Sequence, residues 1–141
     1  MTRALPFVAA VLASWALAQT AAAPVVRTSR SVDWKASGSL PPGAEYHLVW
    51  EDPKTHAVQT LVRMPKGYSL PRHAHTAGET IFVYKGKLAL DVAGRSETLG
   101  PGGYATLPAG TEFSLKAAGF GGAEFLAVFD GPFDMKGPAK N

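Results

Sequence analysis

The sequence predicts an all-β chain folded as one domain. Three observations carry that expectation. The 141 residues include fifteen Gly and eleven Pro, a density of turn residues that strands joined by short loops use and helices do not. From Val32 onward, short apolar segments recur between turn signals, the pattern of a sandwich, jelly roll or barrel. Within those segments apolar and polar residues alternate with period 2, which gives a strand two unlike faces. No segment holds a 3.6-residue period long enough for a helix. The length suits one domain and suffices to bury a core.

The elements follow in chain order. "MTRALPFVAAVLASWALAQTAAA" places one Arg before a short apolar run and then small residues, the layout of a secretory signal. Residues 1–18 are expected to be a signal peptide, with cleavage after Ala18 or as late as Ala23. The apolar run falls short of the ~20 residues that span a bilayer, and no basic stop-transfer flank follows it. The mature protein is therefore expected to be secreted or periplasmic, with no membrane span. Residues 19–31 read as a flexible lead-in, 32–135 as the domain and 136–141 as a tail. Tyr46, Leu48 and Trp50 alternate with Glu45, His47 and Glu51, Val49 being the exception. Val58, Thr60, Val62 and Met64 alternate with Gln59, Leu61 and Arg63. Ile81 and Val83 alternate with Thr80, Phe82 and Tyr84, and Leu88, Leu90 and Val92 with Lys87, Ala89 and Asp91. Glu124 to Asp130 is a further strand-like run. The breaks "EDPKTH", "MPKG", "YKGK", "AGR", "GPGG", "PAG" and "GFGG" are turn chemistry.

Composition narrows the chemistry. With no cysteine, no disulfide, thiolate nucleophile or zinc–thiolate site exists, so any metal is held by nitrogen and oxygen. The formal charge of +3 is scattered. No Lys/Arg run offers a footprint for nucleic acid or an anionic membrane. No Ser-His-Asp set, Gly-rich phosphate loop or nicotinamide fingerprint is present.

The informative stretch is "GYSLPRHAHTAGETIFVYKG", Gly67 to Gly86, which holds two of the four histidines. His73 and His75 are two residues apart and share a face of a strand. Glu79 can return to that face across the turn Thr76–Gly78. Two imidazoles and one carboxylate make a metal set with open positions. The rival reading is a pair of strand histidines satisfied in the core or facing solvent. Glu79 is a candidate ligand, general base or partner of a histidine. His56 reads as a turn residue at the surface, and the facing of His47 is open. Either is a candidate to add a ligand, although a lone His is usually polar surface. Tyr84, Tyr104, Phe125 and Phe129 read as core. Arg63 and Gln59 matter only if their face points inward.

The spacing Gly67, His73, His75, Glu79, Gly86 resembles the first motif of the cupin family at every defining position. Gly102, Pro108 and Gly110 match the second motif, whose histidine position holds Phe113 and whose asparagine position holds Ala117. The approach "LVWEDPKTHAVQTLVRMPKG" followed by "LPRHAH" looks most like small single-domain cupins related to the lobe of zinc-dependent anti-sigma factors. The resemblance implies a single-domain jelly-roll β-barrel. It implies that His73, His75 and Glu79 bind a divalent transition metal (Fe, Mn, Ni, Zn or Cu) at the barrel mouth, and that Phe113 stands where a fourth ligand belongs. Phe113 is then either a packing residue or an apolar wall of a substrate pocket beside the metal, and Glu79 is the residue expected to carry catalysis. A non-haem dioxygenase acting on a small oxygenated molecule is the most concrete function, with isomerase and lyase chemistry equally allowed by the ligands. A non-catalytic ligand- or metal-sensing module is the alternative, and a homodimer formed through edge strands is expected.

Overall fold

The computed structural model describes residues 23–137. The expected signal peptide, the start of the lead-in and the end of the tail lie outside them. Within the lead-in, Ser29–Ser31 form one 3-10 turn. Among the described residues ten strands follow: β1 Lys35–Ala36, β2 Glu45–Glu51, β3 Val58–Met64, β4 Ser69–His73, β5 Glu79–Gly86, β6 Leu88–Val92, β7 Arg95–Leu99, β8 Tyr104–Leu107, β9 Phe113–Ala117 and β10 Ala123–Phe129. They form two antiparallel sheets, one in the order β1-β2-β3-β10-β5-β8 and one in the order β4-β9-β6-β7. This is the all-β jelly roll expected from the sequence. No helix among the described residues is long and apolar enough to cross a membrane.

The period-2 reading assigns the faces of the larger sheet. Thr60, Val62 and Met64 of β3 are buried, as are Ile81 and Val83 of β5 and Phe125, Ala127 and Phe129 of β10. The register stacks them in rows: Thr60 lies opposite Ala127, which lies opposite Ile81. On the other face stand Gln59 and Arg63, which therefore have no part in the interior. Arg63 pairs with Glu45 and lies over the Trp34 ring. Phe125 and Phe129 are core, as read, but Tyr84 and Tyr104 are 37% and 68% exposed. Tyr104 is the register partner of Phe82, so both stand on the outward face, where bulk alone does not decide burial.

The smaller sheet contains a phase change that period 2 does not anticipate. Leu70 and His73 of β4 both point inward, three residues apart. A register shift between them accommodates this. It falls at Pro71, which has no N–H to offer the ladder.

Two glycines close the bottom of the barrel. Gly86 and Gly122 have φ of +75° and +81°, a region that L side chains rarely adopt. A Cβ on Gly86 would lie 2.1 Å from the Gly122 carbonyl oxygen, and one on Gly122 would lie 2.2 Å from that of Met64. Backbone cannot yield as a side-chain tip can. Either Gly→Ala change is expected to destabilise the fold by about 3 kcal/mol or more. Chemical denaturation checks this, and a loss below 1 kcal/mol would contradict it.

Candidate functional site

The bulge in β4, the turn after it and the start of β5 bring His73, His75 and Glu79 into the interior, all three 6% exposed or less. The imidazole rings stand edge to face with centroids 5.0 Å apart. Glu79 Oε2 is 3.4 Å from His75 Nε2.

Each imidazole is oriented by a backbone carbonyl. Nδ1 of His73 lies 2.7 Å from the Pro71 oxygen, and Nδ1 of His75 is bonded to the Asp134 oxygen. A carbonyl only accepts, so in both rings Nδ1 carries the hydrogen. The neutral rings then present an unprotonated Nε2. Burial lowers the pKa of both histidines and so favours that neutral form.

Asp134 belongs to a strap after β10 that the sequence reading did not connect to the site. Its carboxylate accepts from the Thr76 amide at 2.7 Å and from the Thr76 hydroxyl. Ala74 and Lys136 exchange two backbone hydrogen bonds of 2.9 Å. The strap is thus pinned on both sides of His75. Nothing in the spacing of "FDGPFDMK" signals this.

Glu79 is the anomaly. Its Oε2 is buried without a hydrogen-bond partner. Burial pushes its pKa from 4.5 up to about 8, because no cation compensates a carboxylate removed from water. Burial therefore favours the protonated, neutral carboxyl.

Phe113 is the register partner of His73, which places it beside the site as the second motif implied. Its ring centroid lies 4.4 Å from that of His73 and 5.7 Å from that of His75, and it is 1% exposed. It is not among the residues lining the cavity in front of the histidines. Phe129 and Phe133 line that cavity instead, with centroids 5.1 and 5.5 Å from His75. The reason is packing: the inward face of β9 places Phe113 against the imidazoles, whereas Phe133 arrives on the strap. Neither remaining histidine joins. His47 lies on the outward face and bonds the Asp33 carbonyl oxygen. His56 is exposed and pairs with Glu51 at 2.8 Å.

Among the described residues, no three His, Asp or Glu side chains are gathered closely enough to hold a metal ion as they stand. The donor chemistry nevertheless fits one, with two oriented imidazoles and a buried carboxyl oxygen that lacks a partner. His73, His75 and Glu79 would be the residues to hold such a cation, and it would compensate the charge of an ionised Glu79.

A cavity of about 250 Å³ opens in front of His73, His75 and Glu79, between the two sheets. It extends past Thr60 and Val62 to the loop Ser37–Leu40.

Comparison with known proteins agrees with this architecture. The family model described as a cupin domain matches residues 60–129. KdgF from Halomonas sp. is similar in structure, with 18% identity and a TM-score of 0.66 over 79% of this chain and 96% of that one. The polyketide cyclase RemF from Streptomyces resistomycificus is 19% identical, with a TM-score of 0.68 over 84% of this chain and 88% of that one. An oxalate decarboxylase variant from Bacillus subtilis is 26% identical, with a TM-score of 0.59 over 74% of this chain and 29% of that one. No curated protein sequence matches the chain. With the cupin-domain model matching residues 60–129 and these structures alike over most of the chain, the chain belongs to the cupin superfamily as a single-domain member.

Proposed function

We propose that the protein is a secreted metal-dependent cupin acting on a small oxygenated organic molecule, with His73, His75 and Glu79 as ligands of a divalent transition metal. One observation carries this reading: a buried, partnerless Glu79 oxygen beside two imidazoles already anchored through Nδ1. An unsatisfied buried polar group costs ~1–3 kcal/mol and persists chiefly where function uses it. Nitrogen and oxygen donors suit Fe, Mn, Ni, Zn or Cu. Bound there, such a metal supplies Lewis acidity towards a substrate oxygen or a redox centre for O₂.

The chain's own residues supply the rest. The Pro71 and Asp134 carbonyls hold both imidazoles in the ligating tautomer. Glu79 releases its proton on binding. Phe113 leaves no fourth protein ligand, and the apolar walls exclude water. Dioxygenase chemistry is the reaction favoured, with isomerase or lyase chemistry served by the same ligands. The names of RemF and oxalate decarboxylase support a range of reactions on this fold. The leader supports export, and a homodimer would cover edge strands such as β7 and β8.

The test is metal content of untagged protein recovered from periplasm or medium, for the parent and for His73→Ala, His75→Ala and Glu79→Ala. Near-stoichiometric metal in the parent and a marked loss in each folded variant is expected. Equal content in all four would overturn the reading. A second reading, a binding module without turnover, is favoured by Phe113 filling the place of the fourth ligand. Folded parent protein free of metal and without turnover would support it. A further prediction follows from the strap. Asp134→Ala removes both bonds to Thr76 and is expected to lower metal affinity roughly 10-fold. Chelator competition measures this, and unchanged affinity would detach the strap from the site.

A further inference from the structure

The cavity in front of the site has a polarity that restricts what can fill it. It lies along the inner rows of β2, β3 and β10, facing Leu70 of β4 and Leu115 of β9. The register places Glu79 opposite Phe129 at one end. Moving along β3 the wall becomes Thr60, then Val62, then Met64. The Thr60 hydroxyl is within hydrogen-bonding distance of the His47 and Leu61 carbonyl oxygens, at 3.1 and 3.3 Å. Its one hydrogen is used there, so this wall offers a ligand no free donor.

Charge is concentrated in the same way. Among the described residues no Lys, Arg or Asp lines the cavity, and Glu79 is the only acidic residue that does. An anion entering it would lose its hydration with no cationic side chain to replace it, a large penalty in an apolar site. The other polar side chains in the lining are Tyr46 of β2 and, on the loop Ser37–Leu40, Ser37 and the exposed Ser39.

Size sets the last limit. A cavity of about 150 Å³ accommodates benzene, and this one is about 250 Å³. Within its walls it has room for one ring with a short substituent.

We infer that the cavity binds a neutral molecule of single-ring size, with an apolar body along Val62 and Met64 and one carbonyl or hydroxyl head at His73, His75 and Glu79. The inference rests on the proposed function for the identity of the head-binding end, but the apolar walls act without a metal. In the metal-free cavity small dianions such as oxalate are disfavoured by the missing cationic side chains.

The test is calorimetric titration of the purified protein at pH 7 with acetophenone, benzoate, oxalate and phenethylammonium, first in EDTA and then with Zn(II). Acetophenone is expected to bind at least ~10-fold tighter than each charged probe in EDTA. Val62→Trp fills the cavity and is expected to weaken acetophenone at least ~10-fold. Leu48→Trp, nearer the surface, does the same if the first variant fails to fold. Benzoate, oxalate or phenethylammonium binding as tightly as acetophenone in EDTA overturns the inference. So does an absence of acetophenone binding under both conditions, or binding unaffected by a folded variant. Zinc content is measured separately by elemental analysis. Loss of zinc binding with acetophenone binding intact fails the metal reading and leaves this one standing.

Discussion

Glu79→Gln is expected to abolish most metal binding and to remove the fall in stability as pH rises from 7 to 8. The folded carboxyl keeps its proton up to about pH 8, whereas its ordinary value is 4.5. The folded state therefore binds more protons than the unfolded chain across that interval. Stability from this group is fully present below about pH 4.5 and is lost as pH rises towards 8. His73 and His75 behave in the opposite way. Their pKa values are lowered from 6.5, so their contribution is present above pH 6.5 and is lost as pH falls through the lowered values. Between pH 7 and 8, where the unfolded histidines are mostly deprotonated, the slope of the metal-free protein comes mainly from Glu79. It amounts to about 1 kcal/mol lost over that interval, at no more than ~1.4 kcal/mol per pH unit. Glutamine fills the same volume but does not titrate, so the variant should lose that fall and keep only the weak opposite slope of the two histidines.

Metal binding reads the same proton. Ligation requires the carboxylate, so binding at pH 7 is expected to release about one proton and to tighten as pH rises towards 8. The histidines compete with protons only below pH 6.5, so the decline begins higher than imidazole alone would place it. Removing the one anionic ligand should weaken binding by ~100-fold or more. Urea titrations of metal-free protein from pH 6 to 8.5, together with calorimetry in buffers of different ionisation enthalpy, measure both effects. The same slope in parent and variant, or no proton release, would place the buried carboxyl outside the metal site.

Phe113→His is the second large effect. The position faces His73 directly across the β4–β9 ladder, and its ring already sits 4.4 Å from that imidazole. A histidine there adds a third nitrogen donor, and metal affinity is expected to rise by on the order of 10–100-fold. The exchange also replaces a fully buried phenyl ring with a smaller polar one, at roughly 2–4 kcal/mol of stability. The metal-free variant should therefore melt below the parent, and the metal-loaded variant should recover part of the loss. Chelator competition with Fe(II), Mn(II) and Zn(II) on folded protein decides. Unchanged or weaker affinity for all three metals would show that a side chain at this position does not reach the donors.

Local pattern was enough for much of the fold. The alternation in Val58–Met64 and Ile81–Val83 assigned inner and outer faces, because a half-buried strand must repeat every second residue. It did not distinguish the outward-facing aromatics Tyr84 and Tyr104 from Phe125 and Phe129, since exposure depends on which face a neighbouring sheet covers. It also passed over β7, whose residues are almost all exposed, because a strand with two polar faces leaves no apolar period to detect.

The candidate site divides along the same line. The sequence by itself determined that His73, His75 and Glu79 belong together, since their spacing within one strand–turn–strand unit is local. It also marked Phe113 as standing where a histidine is usual. Only the tertiary structure decided what surrounds them. The bulge at Pro71 turns His73 inward, and the Asp134 carbonyl reaches His75 from 59 residues away. The wall in front of the imidazoles comes from Phe129 and Phe133. The physical reason is that hydrogen-bond partners and cavity walls are set by register between strands distant in sequence. A one-residue change in that register would send every side chain to the opposite face.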